Sequence, residues 1–285
     1  MEIINNWLIQ IVIYLLSVVV YTQTFKQLTK SAKNDGILTI ILEIVTSTVL
    51  IIFIPFFEMK WQADFKVYLF TLLAIIFYCI KDRTTTTVRK HIQASTVNIL
   101  DQVTNIFMMI WGIIFFKEEI VFKKIIGALL IILSNVMIFY EKGNFKFDKY
   151  VLLGILSNLS LSIALCLNVD NSENFNIAIY QMITLLIPSI LIFTFERIKV
   201  KDIKKEFKIL NKKHLIITSI SWALMIISQL RAYQTAEITT VAPLCAISVI
   251  LNVFAGYIFQ KERNKIFTKI VAAILIIVSV ILIKL

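Results

Sequence analysis

The chain has few of the residues that build linkers, disulfides and metal sites. Its 285 residues include 6 Gly, 3 Pro, 3 Cys and 2 His. So little glycine and proline argues against a low-complexity linker or a disordered tail. Cys79, Cys166 and Cys245 each lie in an apolar run without a CxxC spacing. We therefore expect them to be small core residues, and we expect neither a metal site nor a cofactor.

Charge is also scarce, and acidic residues are scarcer than basic ones. Only 16% of residues are charged and 59% are hydrophobic, against about 25% and about 45–50% in soluble domains. An apolar surplus of this size has to face lipid. The net charge of +11 is then better explained by lysines on the cytoplasmic side of a membrane than by nucleic-acid binding. No nucleic-acid partner is expected.

Apolar runs long enough to cross a bilayer, which takes about 20 residues, predict an all-α polytopic membrane protein with ten transmembrane helices. The first seven residues, MEIINNW, have neither a basic region nor a cleavage site, so the first run is expected to be a retained span. The ten predicted helices cover residues 3–21, 36–57, a third from about 66, 92–116, 122–140, 149–169, 175–195, 213–235, 239–259 and 266–284.

The two halves of the chain repeat each other. The stretch STVNILDQVTNIFMMIWGIIFFKEE from Ser95 aligns with TTVAPLCAISVILNVFAGYIFQKER from Thr239, an offset of 144 residues (239 minus 95). Residues 1–143 and 144–285 would each hold five helices. Because five is odd, the second half enters the membrane from the opposite face, which predicts two inverted five-helix repeats.

This pattern of two five-helix halves, each with a Lys-Glu turn before a final apolar helix, resembles the drug/metabolite transporter superfamily. The resemblance is to its EamA-like branch, with kinship to nucleotide-sugar transporters. The chain departs from that pattern at the usual mid-helix proline, replaced by Asn105 and Val249, and at the usual glycine before the turn glutamate, replaced by Lys117 and Lys261. The resemblance implies solute transport by alternating access through a cavity lined chiefly by helices 1, 3, 4, 6, 8 and 9.

A polar stripe in the fourth predicted helix is the first candidate site. Asn98, Asp101, Gln102 and Asn105 are spaced i, i+3, i+4 and i+7, which places them on one helix face. An aspartate at the centre of a membrane helix costs roughly 2.5–3.5 kcal/mol. The stripe is therefore predicted to line a solute cavity. Hydrogen bonding between helices is the alternative.

The third predicted helix presents the second candidate. Its apolar run, residues 67–80, is too short to span a membrane. The repeat offset favours a helix that continues to about residue 90 and carries Lys81, Asp82 and Arg83 into the cavity. A polar loop after residue 80 is the alternative. Inside the membrane these charges would need partners, which we expect to be Asp101 or the solute.

Further polar residues lie in other predicted spans. Arg231 is the strongest of them, although it could instead reach the interface from its helix end. The other candidate binding residues of this group are Asn158, Gln229 and Asn252, and Glu43 is a further polar residue in the second helix.

Residues 196–213 form the longest connection and hold eight basic residues. Val200, Ile203, Phe207 and Leu210 share one helix face, which predicts a basic amphipathic helix on anionic lipid headgroups. A solvated linker is the alternative. Connections on this side hold about 20 Lys and Arg against about six on the other, so the positive-inside rule places both termini outside a cell membrane.

The function that these features favour is a secondary transporter of a small polar, anionic or zwitterionic metabolite. Lys81, Arg83 and Arg231 would attract an anion, and Asp82 and Asp101 could hold a coupling proton or a cationic group. No nucleotide-binding loop is present. A lipid-linked-substrate flippase or a non-transporting membrane subunit is the alternative. An integral membrane enzyme is less favoured, because the sequence has no DxxxD metal site and no histidine-centred pair.

Overall fold

A computed structural model describes residues 6–61, 64–115, 117, 119, 122–141, 144–145, 148–263 and 265–284. This part of the chain is almost wholly helical. The helices are α1 (Trp7–Ser31), α2 (Asp35–Leu50), α3 (Phe65–His91), α4 (Ala94–Leu100), α5 (Gln102–Phe115), α6 (Phe122–Phe139), α7 (Lys149–Asn171), α8 (Ile177–Phe195), α9 (Val200–Ile209), α10 (Lys212–Thr235), α11 (Ile238–Cys245), α12 (Ser248–Phe259) and α13 (Ile266–Lys284). Two 3₁₀ turns, Ile51–Phe56 and Ser172–Asn174, extend α2 and α7, and β1 (Tyr140–Glu141) pairs antiparallel with β2 (Asn144–Phe145).

Length and composition identify a multi-pass membrane protein. Six helical segments of the described chain are long and apolar enough to cross a bilayer: Trp7–Ser31, Asp35–Phe56, Ala94–Phe115, Lys149–Val169, Ile177–Phe195 and Lys212–Thr235. Shorter apolar helices are Ile125–Ser134, Ser248–Phe259 and Ile266–Ser279. Most helix ends lie close to the predicted ones, but α1 continues ten residues beyond the predicted end at residue 21 (31 minus 21).

Asparagine and aspartate side chains start several of the helices. Each accepts hydrogen bonds from the first free backbone N–H groups, which have no partner inside the helix. The residues that cap in this way are Asn6, Asn34, Asp64, Asp148, Asn176 and Asn211. These polar residues between apolar runs therefore help to fix where the six helices begin.

The continuation of the third predicted helix is confirmed. α3 runs without interruption for 27 residues, from Phe65 to His91, and α4 begins at Ala94. At 1.5 Å per residue its length is about 40 Å, more than the roughly 30 Å of the hydrocarbon core. The polar segment 81–90 is thus the last third of α3, and only a tight turn separates it from α4.

The helices pack in four main pairs, which are α1 with α10, α2 with α8, α3 with α7, and α6 with α13. One apolar core lies between α1, α2 and α10 around Tyr21, Phe25 and Trp222. A second lies between α4, α12 and α13. A third lies around Met108, Tyr233 and Val241, with Tyr14 and Leu161 packed against it.

The amphipathic helix α9 lies within the predicted basic segment and is anchored to the start of α2. Glu206 is buried and accepts backbone hydrogen bonds from Lys33 (2.5 Å) and Asn34 (3.4 Å). Leu210, just past its end, joins the core, whereas Val200 and Phe207 stay 58% and 41% exposed. The protein core therefore takes part of the predicted apolar face, and the rest remains at the surface.

Candidate functional site

A small polar cavity of about 70 Å³ lies at the centre of the helix bundle. It is lined by α1, α3, α4 with α5, α7, α10 and α12, the six helices that the resemblance implies. The lining residues are Tyr14, Val18, Tyr21, Lys81, Thr85, Arg89, Asn98, Asp101, Gln102, Thr104, Asn105, Asn158, Leu161, Met225, Gln229 and Ser248. All four residues of the predicted stripe are among them.

The fourth and ninth predicted helices are both interrupted beside the cavity. Asp101 forms the turn between α4 and α5, and Ala246 and Ile247 form the turn between α11 and α12. The repeat offset aligns Asp101 with Cys245, the last residue of α11, so the two breaks are equivalent. As a result the N-termini of α5 and α12 begin at Gln102 and Ser248, and both residues line the cavity. A helix N-terminus carries a partial positive charge and free N–H groups, which favour an anion.

Asn158 of α7 repairs the break in the fourth helix. Its amide donates to the carbonyl of Leu100 (3.1 Å), the last residue of α4, and its side-chain oxygen accepts from Thr104 (3.0 Å). Gln102 donates to the carbonyl of Asn98 (3.0 Å) and accepts from Asn105 (2.6 Å). Part of the stripe thus acts as hydrogen-bond support, as the alternative interpretation proposed, while the same residues also face the cavity.

Arg89 is the most confined cation of the cavity. It is 5% exposed, and its Nη2 donates to the Asp101 carboxylate (3.1 Å). The guanidinium also faces the rings of Tyr21 and Phe25, at 5.2 and 5.7 Å from their centroids. Its Nε and Nη1 are buried and have no hydrogen-bond partner among the residues described. Two charged donors are therefore available to a negatively charged group.

Lys81 is the second cation of the cavity. Its ammonium donates to the neighbouring Asp82 carboxylate (2.7 Å) and lies 5.4 Å from the Trp222 ring centroid. Lys81, Thr85 and Arg89 are spaced four residues apart on α3, so they form one row on the face that lines the cavity.

Arg89, which was not among the candidate residues, shows where the interpretation of the sequence was incomplete. The spacing of Lys81, Thr85 and Arg89 was the signal that could have identified it, once α3 was continued. Asp101 was expected to be a partner of the charges at residues 81–83, and this is wrong: Asp101 pairs with Arg89, Lys81 with Asp82, and Arg83 with Glu196.

Four candidate residues lie outside the central cavity. Asp82 does not line the central cavity but lies in a separate narrow cleft that also includes Trp222. Arg83 binds Glu196 and Thr87, because the next position on α3 points towards the connection after α8. Asn252 accepts from Gln23 (3.2 Å). Arg231 donates to Gln234 (3.0 Å) at the end of α10. The remaining seven candidates line the cavity.

Two larger cavities lie at opposite ends of the bundle. The first, the Arg231 vestibule, measures about 280 Å³ and includes Phe57, Ser172 and Arg231. The second, the Lys26 vestibule, measures about 380 Å³ and includes Lys26 and Gln260. They lie at opposite ends because α1 and α2 are antiparallel and contribute their C-terminal ends to different vestibules. The central cavity lies between them.

A buried carboxylate closes the bundle beside the Lys26 vestibule. Glu262 accepts from the backbone N–H of Ala94 (2.7 Å) and of Ser95 (3.2 Å), and from the Ser95 hydroxyl. Lys269 of α13 lies 3.4 Å from the same carboxylate and donates to Ser95 (2.6 Å). We call this group the Glu262 clasp. It joins the start of α4, the turn after α12 and α13.

The turn that carries Glu262 explains why glycine is usual before the glutamate in the family pattern. Lys261 has a φ of 56°, and Lys117, its equivalent in the first half, has a φ of 54°. This left-handed conformation is easy for glycine and costs other residues roughly 1–2 kcal/mol. Glycine is thus expected at both positions for a backbone reason, and the lysines here adopt the same turn. Glu118, the repeat partner of Glu262, lies outside the described residues.

Comparisons with known proteins agree with this architecture. Residues 5–140 match the family model of the EamA-like transporter family, which is part of the drug/metabolite transporter superfamily. This match confirms the resemblance drawn from the repeat. Members of the family are transporters rather than enzymes. No curated protein matches the sequence.

The fold is shared with solved structures. One crystal structure, described simply as that of a protein, covers 97% of this chain and 98% of its own, with a TM-score of 0.59 and 12% sequence identity. At this identity the similarity concerns the fold alone.

Proposed function

We propose that this chain, whose residues 5–140 match the model of the EamA-like transporter family, carries a small anion across the membrane through its central cavity. The observation that carries the proposal is the guanidinium of Arg89. It is buried, faces the cavity and has two N–H donors without a partner in the described structure. Buried polar groups are ordinarily hydrogen-bonded, and an unpaired charged donor is costly. A carboxylate or phosphate group of a solute would supply the missing acceptors.

The charge balance of the lining supports an anion over a zwitterion. Among the described residues of the lining, Lys81 and Arg89 are cationic and Asp101 is the one carboxylate. Asp101 is already paired with Arg89, so it has less to offer an ammonium group. The N-termini of α5 and α12 add partial positive charge at the same place, as in other transporters built from interrupted helices.

The cavity sizes support a small solute and an alternating route. About 70 Å³ at the centre is well below the roughly 300 Å³ at which most ligand pockets begin. The two vestibules, about 280 and 380 Å³, approach it from opposite ends. We infer that the structure is a closed intermediate and that each vestibule joins the central cavity in turn.

Ten helices in two inverted repeats, divided at residue 143, complete the proposal. In the proposed repeat, α1 corresponds to α7, α2 to α8, α3 to α10 and α6 to α13. If each helix is exchanged with its counterpart, the packed pair α1–α10 becomes the packed pair α7–α3, and the pairs α2–α8 and α6–α13 are unchanged. This is the pattern that two-fold symmetry between the halves requires. The equivalent breaks at Asp101 and after Cys245 support the same arrangement. Alternating access then follows from rocking of one half against the other.

Uptake into proteoliposomes tests the proposed function. The solutes are small carboxylates and phosphate esters, each paired with its neutral amide or alcohol and with an amine of the same size. We expect saturable uptake of at least one anion and none of its neutral or cationic counterparts, because the unpartnered donors at the cavity belong to a cation, Arg89. Uptake of the neutral or cationic solutes without any of the anions would refute an anion site.

A further inference from the structure

Glu43 is a buried acid that the anion site does not use. It lies near the middle of α2, is 0% exposed, and neither oxygen of its carboxyl group has a hydrogen-bond partner among the described residues. The hydroxyl of Thr46, one turn further along α2, also has none there. Burying an ionised carboxylate without a partner costs far more than burying the neutral acid. The setting of Glu43 therefore favours a bound proton.

The charged groups with the largest electrostatic effect on the Glu43 carboxyl belong to α3. They are Asp82, of the same sign, and Lys81, of the opposite sign. Cys79 of α3 and Tyr21 of α1 are the titratable neighbours on which Glu43 acts in turn. The other helices packed on α2 carry their titratable groups elsewhere along their length. These groups are Tyr180 on α8, Lys212, Lys213, His214, Arg231 and Tyr233 towards the ends of α10, and Lys201, Asp202, Lys204, Lys205, Glu206 and Lys208 on α9.

Lys81 connects this acid pair to the central cavity. Its ammonium donates to one oxygen of Asp82 (2.7 Å), lies in the cavity lining, and is the cation that acts on Glu43. The other oxygen of Asp82 is buried without a partner in the described structure. Thr39 of α2 and Thr86 of α3 share a hydrogen bond (2.7 Å). Glu43 and Asp82 each lie one turn from that bond in the same direction, so the two acids and the Lys81 ammonium are neighbours. The group is electrically neutral only when one of the two carries a proton.

We propose that Glu43 and Asp82 form a proton-binding site that Lys81 couples to anion binding, an inference that rests on the proposed transport of an anion. When an anion occupies the cavity, the Lys81 ammonium turns from Asp82 towards it. The Asp82 carboxylate is then buried without a cation, and it takes one proton from water while Glu43 keeps its own. One anion and one proton therefore enter together, and a monovalent anion crosses without net charge.

Infrared spectroscopy tests the site without any solute. Purified protein in lipid vesicles at neutral pH should show the carbonyl-stretch band of a protonated carboxylic acid. Glu43→Gln should remove this band, and Glu237→Gln, the same change at an exposed position, should leave it. In the unaltered protein, ¹³C at the glutamate side-chain carboxyl should shift the band, which keeps the test valid if Glu43→Gln fails to fold.

Substitution of Lys81 tests the coupling in the same instrument. Lys81→Gln removes the ammonium from Asp82, which imitates the effect of a bound anion that attracts Lys81. Asp82 should then take up a proton, so the carboxylic-acid band should roughly double. The double variant Lys81→Gln/Asp82→Asn should return the band to its wild-type size. The doubled band, like the band itself, should be larger in lightly acidic than in alkaline buffer.

Two results would overturn the inference. A wild-type band that is absent, or that ¹³C-labelled glutamate does not shift, would exclude a proton on Glu43. A band in Lys81→Gln no larger than that of the wild type would exclude coupling through Lys81. Because no solute is present, these results are separate from the uptake experiment. Anion uptake by a protein without the Glu43 band would support the proposed transport function and refute the proton-binding site.

Discussion

Replacing Arg89 with glutamine is expected to lower anion uptake at least tenfold. Each hydrogen bond from a charged group contributes about 1.5–3 kcal/mol, and every 1.4 kcal/mol corresponds to a factor of about ten in affinity. Arg89 has two such donors without another partner among the residues described. Arg89→Lys is expected to restore only part of the loss, since an ammonium keeps the charge but not the planar fork. Initial rates of uptake in proteoliposomes measure both effects.

Two controls separate this role from simple destabilisation. Arg89→Gln leaves the Asp101 carboxylate without its cation, so the double variant Arg89→Gln/Asp101→Asn is expected to recover thermal stability but not uptake. Arg197→Gln makes the same change at an exposed position and should transport normally. Wild-type uptake by a well-folded Arg89→Gln protein would show that the anion does not bind this guanidinium.

Glu262→Gln is expected to destabilise the folded protein by about 3 kcal/mol, the lower end of the cost of removing one partner from a buried ion pair. The carboxylate accepts from two backbone N–H groups and the Ser95 hydroxyl, and it is the ion-pair partner of Lys269, which is 2% exposed. Removing its charge leaves an ammonium buried without a counter-charge. Thermal unfolding in detergent, followed by helical circular dichroism, measures the loss.

The clasp has a specific rescue. Adding Lys269→Met to Glu262→Gln removes the uncompensated ammonium and keeps a long side chain, so much of the stability should return. Glu119→Gln, at an exposed position of the corresponding turn in the first half, should have little effect. If Glu262→Gln and Glu119→Gln melt at the same temperature, the Glu262 clasp contributes nothing to stability.

The sequence was sufficient for features that depend on length, periodicity and repetition. The short apolar run 67–80 and the offset of 144 residues predicted that α3 continues past Lys81, and it runs to His91. The spacing of Asn98, Asp101, Gln102 and Asn105 predicted one polar face, and that face lines the cavity. These inferences need only the geometry of a helix and the thickness of a bilayer.

Features that depend on contacts between helices were not predictable in the same way. The break at Asp101 could not be predicted from the sequence, because that position holds neither glycine nor proline. It is stabilised by Asn158 from another helix. Arg83 and Arg89 are both basic residues late in α3, yet one binds Glu196 at the end of α8 and the other enters the cavity. Six residues separate them, which turns their side chains to different directions, and only the packing of α3 decides which side is interior.

The most direct test of the account is whether the central cavity opens to both faces of the membrane. Ser248→Cys places a thiol in the cavity lining with little change in size, in a protein whose Cys79, Cys166 and Cys245 are replaced by alanine. A small, charged, membrane-impermeant thiol reagent should modify it when added to either face. Leu16→Cys, a control position on α1 that is 64% exposed on the apolar surface, should resist the reagent from both faces. Modification of Ser248→Cys from one face alone, under every condition, would contradict alternating access through this cavity.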